Sequence, residues 1–592
     1  MKLSYPNFSP RFAEADWTVP RLLERQAARI PERPFLQWTD DEAPLSFAEV
    51  NRRANRLAHG LSRAGVAKGD RVVLLLPNSL EYVLLWFAAN KIGAVEVAIN
   101  PSYRDRFLRH QLETSGGNTI VVTHDMLEEI EADLGEYQTL KRLIVIGAPG
   151  ARSKRSLQQG AEVFAFEQIE VDDERNPECE ILPQDTAAIL FTSGTTGPSK
   201  GVLMTHAQLY LFGELSAQLV RMTEDDVYLT SFPFYHANAQ FLTIYPSLIY
   251  GIRCVLYEKF SAGQWLQRLI NTGATIVNSV GVTLPFVMAQ PPSPRDKAHR
   301  LRCIFAAPTP HDMLAAFRER FGEIEIVEGY GQTEICLPLL SPYGIKRPKG
   351  ACGVAVQQWF DLQIVDPATD APVANGEVGE LVVRARTPWT LNQGYVSMPE
   401  RSLEAFRNFW FHTGDGFRKD DSGWFYFSDR IKDAIRRRGE NISSFEIEEP
   451  IREHPAVEDV AIVGVPSDFE GGEDEVKACI VLRPGSSFSP QAFVEWCRSH
   501  LPRFAVPRYV QLYSDFPRTP SQRVQKHLLR RRTDRTDEWD AQTQAFGHSR
   551  TSATNTASAS ANASSSRDEF GTSSAASLLS VGPASASRKP PC

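Results

Sequence analysis

The sequence predicts an α/β protein: a large, multi-lobed N-terminal body of mostly parallel sheets, a small α+β C-terminal domain, and a disordered C-terminal tail. Three observations predict it. Short apolar runs alternate with helical stretches through the first half of the chain, a compact strand and helix unit follows about residue 429, and apolar periodicity stops near residue 534. At 592 residues the chain is too long for one core.

Taken in order, FAEVNRRANRLAHGLSRAG from Phe47 has apolar residues at helical spacing, and Gly69-Asp70 turns the chain into the strand RVVLLLP. SLEYVLLWFAANKIG is helical and ends at Gly93, and AVEVAIN is a strand. The alternation continues with strands at TIVVTH, RLIVIG, TAAILFTSG and ATIVNSVG. Strands separated by helices argue for parallel sheets covered on both faces, so residues 1–428 read as one body. GFRKDDSGWFYFSDR reads as two strands joined at Asp420-Asp421-Ser422-Gly423, a turn-forming cluster. In residues 429–533, Ser443-Ser444-Phe445-Glu446 has the form of a capping box, VEDVAIVGVP and VKACIVL are strands, and SPQAFVEWCRSHLP is a capped helix. Pro450 should kink or shorten the first of these helices. Residues 534–592 are rich in Ser, Ala and Thr and cannot bury enough surface to offset the entropy of ordering them.

Composition narrows the function. Lys plus Arg is 64 against 72 Asp plus Glu, a net charge of -8, which argues against a nucleic-acid binder. The eight cysteines show no CxxC and no zinc spacing, as expected of a reduced, cytoplasmic protein. No apolar N-terminal run suits a signal peptide, and Tyr82 to Ile99 is broken by Asn90, Lys91 and Glu96, so it reads as buried helix and strand rather than a membrane span.

The strongest chemical signal is Thr192-Ser193-Gly194-Thr195-Thr196-Gly197-Pro198-Ser199-Lys200-Gly201, directly after the strand AAILF. Its glycines let backbone N–H groups turn inward, its hydroxyls donate, and Lys200 adds a cation, which together make a cradle for phosphate oxygens. It is not a Walker loop, because GxxxxGK[ST] does not match.

This loop resembles the phosphate-binding signature of the adenylate-forming superfamily, which includes acyl-CoA synthetases, adenylation domains and beetle luciferases. Further segments match that superfamily's motifs in its order: Phe234-Tyr235-His236; Ala306-Ala307-Pro308-Thr309; Gly329-Tyr330-Gly331-Gln332-Thr333-Glu334; His412-Thr413-Gly414-Asp415; Asp429-Arg430-Ile431-Lys432-Asp433; and Gly439-Glu440-Asn441-Ile442. The resemblance implies an ATP-dependent ligase that makes an acyl-AMP from a carboxylic acid and passes the acyl group to coenzyme A. It implies that Thr333 bonds the α-phosphate, Glu334 ligates Mg2+, Asp415 accepts from the ribose hydroxyls with Arg430 nearby, and Tyr330, Ala307 and Pro308 border adenine. His236 borders the acyl and phosphate sites. The small domain swings about Lys432, and Gly439, Glu440 and Asn441 then line the pantetheine tunnel. The GENISSFEIE stretch is most similar to carnitine/crotonobetaine-CoA ligase-like members.

One segment departs from the pattern. The superfamily's PxTxxGKxxK carries the adenylating lysine, but here Pro517-Arg518-Thr519-Pro520-Ser521-Gln522-Arg523-Val524-Gln525-Lys526 puts Arg523 in its place. Arginine keeps the charge but is longer and planar, so either Arg523 or Lys526 serves adenylation, or that step is impaired. Loading of a separate carrier protein, luciferase-like oxygenation and non-catalytic binding stand as alternatives. By resemblance the acyl pocket is lined by His236 to Gln240, Asn278 to Val282 and Gly329 to Ile335, whose Asn, Gln and Ser suggest a modest, partly polar pocket.

Overall fold

The structure is a computed structural model that describes residues 3–147, 160–192, 199–280, 283–307, 309, 313–430, 435–437, 440–442, 444–466, 474–501, 505–518, 524–530, 535 and 537–546. Two sheets of the body are largely parallel, as the alternation requires. In one, Glu162–Ala165, Arg142–Ile146, Thr119–Thr123, Arg71–Leu75, Val95–Ala98 and Thr186–Thr192 run parallel, and Lys200–Thr205 closes the edge antiparallel. In the other, Glu325–Val327, Cys303–Ala307, Ile276–Val280, Val227–Thr230, Arg253–Leu256 and Pro34–Trp38 are parallel.

The helix Leu80–Lys91 explains how these layers share a core. Every residue from Tyr82 to Lys91 is buried, so the helix has no solvent face. Ser79 caps it, accepting from Tyr82 N at 3.1 Å. Its one cation, Lys91, is buried and pairs with Glu24 at 2.7 Å.

A third seven-stranded sheet is antiparallel throughout: Gly329–Gln332, Cys336–Leu340, Ala351–Ala355, Trp424–Arg430, Phe411–Lys419, Gly379–Ala385 and Phe360–Val365. The expectation of mostly parallel sheets holds for the other two. Only the short helix Pro399–Ala405 with the turn after it punctuates its strands, and the sequence shows only its last hairpin.

In the small domain Val457–Pro466 pairs antiparallel with Asp474–Leu482, which runs parallel to Tyr509–Tyr513. The helix Pro490–His500 is capped by Ser489. The helix Ser444–Arg452 continues two residues past Pro450, so the proline falls in its last turn. Residues 538–546, expected to lie in the structureless tail, instead add strands at Glu538–Asp540 and Ala545–Phe546 to this sheet. The composition of the tail hid two anchors: Trp539 is buried, and Glu538 pairs at 3.0 Å with Lys477, both sides of the pair being 1% exposed. Among the described residues no helix is long and apolar enough to cross a membrane.

Candidate active site

The two strands that flank the Gly/Ser/Thr segment pair antiparallel, with Thr192 opposite Lys200. Ser193, Gly194, Thr195, Thr196 and Gly197 lie outside the described residues. Just beyond them, Ser199 is gripped from the helix Asp105–Ser115. His110 Nε2 bonds its carbonyl at 2.8 Å and Gln111 Nε2 donates to its hydroxyl at 3.1 Å.

Thr192 and Glu334, far apart in sequence, meet here. Thr192 Oγ1 donates to Glu334 Oε1 at 3.4 Å, and Tyr395 OH donates to the same oxygen at 3.1 Å. The Lys200 ammonium lies 4.0 Å from the centre of the Tyr395 ring. Burial pushes the Glu334 carboxyl up, while Lys200 and the two hydroxyls work against that rise. The backbone beneath is fixed from a distance. Gln208 Nε2 donates to the carbonyls of Thr333 (2.9 Å) and Glu334 (3.2 Å), and Asn392 Nδ2 donates to that of Glu334 at 2.8 Å. The Thr333 side chain is half-buried. Among the described residues no cluster of three metal-ligating side chains exists. A single carboxylate beside the strand ends that flank the Gly/Ser/Thr segment nevertheless fits Mg2+, which keeps several waters and takes substrate phosphates rather than an all-protein cage.

A second knot forms where two strands of the antiparallel sheet converge. Asp415 Oδ2 accepts from Tyr330 OH at 2.7 Å and Gln332 Nε2 at 2.8 Å, and the same nitrogen reaches the Thr413 carbonyl at 3.0 Å. The Tyr330 ring meets Phe417 edge-on, centroids 4.6 Å apart. Between the two donors, Gly331 tolerates no side chain, since a Cβ there would stand 1.9 Å from the Cys336 carbonyl oxygen. Gly329 lies at the start of the same strand. Glu380 supports the Thr413-Gly414-Asp415 turn by accepting from Gly414 N and His412 Nδ1, both at 2.9 Å. Those donors hold its carboxyl below the ordinary range against the effect of burial. Arg430 stands opposite Asp415 in the register of the two strands.

Ala307 is exposed at the carboxyl end of the parallel strand Cys303–Ala307, the end at which open α/β sheets bind ligands. Pro308 lies outside the described residues. His236 precedes the short helix Ala237–Ala239 and is half-buried, its ring 4.5 Å from that of Tyr235. Two of the expected acyl-lining segments are joined by side chains. Asn278 Nδ2 donates to Asn238 Oδ1 at 2.9 Å and to Thr243 Oγ1 at 3.0 Å, and Tyr228 OH donates to Asn278 Oδ1.

In the small domain, Arg523, Lys432 and Gly439 lie outside the described residues, while Glu440 and Asn441 belong to the strand Glu440–Ile442. Among the described residues on either side of Arg523, Arg518 and Val524 form an antiparallel bridge, and Gln525 N donates to the Pro517 carbonyl at 2.7 Å. Lys526 is committed elsewhere. Its ammonium pairs with Glu448 at 2.8 Å and donates to Ser444 Oγ, both on the helix Ser444–Arg452.

Sequence reading missed Gln208, Asn392, Tyr395, Glu380, His110 and Gln111. All act across long separations on backbone or on another side chain, and none stands in a local motif. Tyr395, directly after Gln393-Gly394, carries no signal beyond being aromatic.

Known proteins share this fold. Residues 23–396 match the AMP-binding enzyme family, and residues 446–523 match the AMP-binding enzyme C-terminal domain. The chain is 34% identical over 497 residues to the crotonobetaine/carnitine–CoA ligase of Proteus mirabilis (strain HI4320), covering 82% of this chain and 93% of the relative. It is 32% identical over 495 residues to that of Salmonella typhi, with the same coverage. Among solved structures it is similar to the anthranilate CoA ligase AuaEII in complex with anthranoyl-AMP (TM-score 0.75, 23% identity, 88% of this chain and 97% of that one). It is also similar to a Mycobacterium tuberculosis fatty acyl CoA synthetase (TM-score 0.67, 27% identity, 87% and 98%).

Proposed function

The chain belongs to the AMP-binding enzyme family, and on that premise we propose how its residues divide the work. It is an ATP-dependent, AMP-forming acyl-CoA ligase acting on a small-molecule carboxylic acid. In the first half-reaction the acid's carboxylate attacks the α-phosphorus of ATP and pyrophosphate leaves. In the second, the thiol of coenzyme A attacks the acyl-AMP carbonyl and AMP leaves. The observation that carries the assignment is the meeting of Thr192, Lys200 and Glu334, which brings the phosphate segment and the Gly-Tyr-Gly-Gln-Thr-Glu segment to one place.

In this reading Ser193 to Gly197 and Lys200 hold the β- and γ-phosphates and Thr333 bonds the α-phosphate. Charge builds on these oxygens as pyrophosphate departs, so donors fixed in advance lower the barrier. Glu334 holds Mg2+, which supplies charge neutralisation at the phosphates. Asp415, aimed by Tyr330 and Gln332, takes the ribose, while Tyr330, Ala307, Pro308 and Gly329 border the adenine. His236 faces the acid. Arg523 serves as the adenylating cation, a role supported by the commitment of Lys526 to Glu448. The small domain then turns about Lys432 so that Gly439, Glu440 and Asn441 meet coenzyme A. The enzyme works in the cytoplasm, with coenzyme A and not a carrier protein as acceptor.

For the acid, the Asn238–Asn278 pair favours a small molecule with a polar acyl part over a long alkyl chain. A thioester-formation screen with ATP, Mg2+ and coenzyme A tests this. Crotonobetaine and carnitine, the acids in the relatives' names, come first, beside short aliphatic, aryl and long-chain acids. Turnover confined to long-chain acids, or transfer to a carrier protein with none to coenzyme A, would overturn the assignment.

A further inference from the structure

Glu96 stands on Val95–Ala98, an interior strand of the first parallel sheet, and is wholly buried. Its Oε1 accepts from Gln240 Nε2 at 2.7 Å and from Tyr82 OH at 3.2 Å. Among the described residues no ion pair reaches it, and Oε2 has no hydrogen-bond partner. Burial pushes its carboxyl up to about 8 against the pull of those two donors. A buried acid without a counter-charge costs stability, so a role outside packing is the simplest reason for it.

The contacts of Gln240 show where such a role lies. Its Nε2, while donating to Glu96, also donates to the Phe234 carbonyl at 2.5 Å. The Phe234 N–H donates to Asn78 Oδ1 at 2.8 Å, and Asn78 Nδ2 donates to the Phe232 carbonyl at 2.8 Å. The Phe234 ring is buried edge-on against Tyr82, centroids 5.6 Å apart. Both backbone polar groups of Phe234, two residues before His236, are therefore held by side chains. Gln240 also opens a π-helical turn, Gln240–Ile244, a distortion that recurs at functional sites.

We propose that Glu96 is a positioning residue for the first half-reaction: acting through Gln240, it fixes the Phe234–His236 turn and so the place where His236 meets the acid. The proposal rests on the reading of His236 given above. The test compares Glu96→Leu and Glu96→Gln in the full chain. Glu96→Leu removes both acceptor contacts and is expected to lower kcat/KM for the acid in pyrophosphate exchange at least tenfold, with KM for ATP within twofold of the parent. Glu96→Gln keeps an acceptor oxygen for Gln240 and Tyr82 and should restore the acid's kcat/KM to within threefold.

A second readout does not need turnover. In protein labelled at the histidine ring carbon, the His236 resonance, assigned with His236→Asn, should move in Glu96→Leu and return in Glu96→Gln. If Glu96→Leu is folded and shows parental acid kinetics and an unmoved His236 resonance, the proposal is overturned. If Glu96→Leu fails to fold, Gln240→Leu takes its place with the same two outcomes. A parent that exchanges no pyrophosphate with any acid would contradict the ligase reading, and the His236 resonance would still decide the clamp.

Discussion

Two site carboxylates of the body are held differently from the buried charges of the small domain. In the body, Glu334 and Asp415 are buried but gripped mainly by neutral donors: Tyr395 and Thr192 on one, Tyr330 and Gln332 on the other. Neutral donors fix a carboxylate without cancelling its charge, so it can still meet a metal or a ribose. In the small domain, charged groups are consumed in pairs. Lys526 meets Glu448, Lys477 meets Glu538, and Arg508 meets both Glu475 and Asp540. The lesson is that a cation in the small domain is not available because of its type. Lys526 is tied to Glu448, which is why the proposal above gives the adenylating role to Arg523, the residue in register with the superfamily's lysine.

That contrast breaks most sharply at Arg523. Arg523→Ala should lower kcat for pyrophosphate release by about 100-fold or more, the scale of losing a transition-state charge contact. Conversion of supplied acyl-AMP to the thioester should stay within about threefold of the parent, since only the first step needs the cation; equal loss in both steps would contradict the division of labour. Glu334→Gln should cost about 10- to 100-fold in kcat and raise the Mg2+ concentration for half-maximal rate. An unchanged Mg2+ dependence would remove the metal role.

Stability tests sharpen the other side. Lys526→Met leaves the buried Glu448 only its longer contact with the more exposed Arg452 (3.4 Å) and should cost up to about 3 kcal/mol, read as a lower midpoint in urea, while affecting pyrophosphate release far less than Arg523→Ala. Ending the chain at residue 533 strands Lys477 in the interior and should destabilise the small domain by a similar amount of about 3 kcal/mol. Ending it at residue 547 should leave the thermal midpoint unmoved.

The smallest effect is a slope. Glu96 binds its proton up to about pH 8 in the folded protein but only to the ordinary carboxylate range when unfolded. Between those limits the folded state holds more protons, so stability falls as pH rises. Glu96→Gln should flatten that decline relative to the parent, measured as thermal midpoint against pH. Tyr82, also pushed up by burial and by Glu96, is the neighbouring group that titrates, and only at higher pH.

Much of this was legible in the sequence where local pattern carries the physics. The helix Leu80–Lys91 and the strands Arg71–Leu75 and Thr119–Thr123 follow from apolar runs bounded by turn residues. Tyr330, Glu334 and Asp415 could be singled out as candidates because they lie in ordered motifs. Of the antiparallel sheet only the last hairpin was legible, since its other strands are joined by connections of no fixed spacing, one of them carrying the helix Pro399–Ala405. Gln208, Asn392, Tyr395 and Glu380 were invisible because each acts on a partner brought near only by folding. The strand Glu538–Asp540 was hidden for a related reason: a three-residue element has no periodicity, and a buried ion pair has no sequence signature.

The most direct test is acid-dependent exchange of labelled pyrophosphate into ATP by the full chain, beside Arg523→Ala. The account predicts label in ATP only when a suitable carboxylic acid is present, and about 100-fold less with the variant. Folded parent protein that exchanges no label with any acid of the panel, or a variant that exchanges at the parent rate, would contradict it.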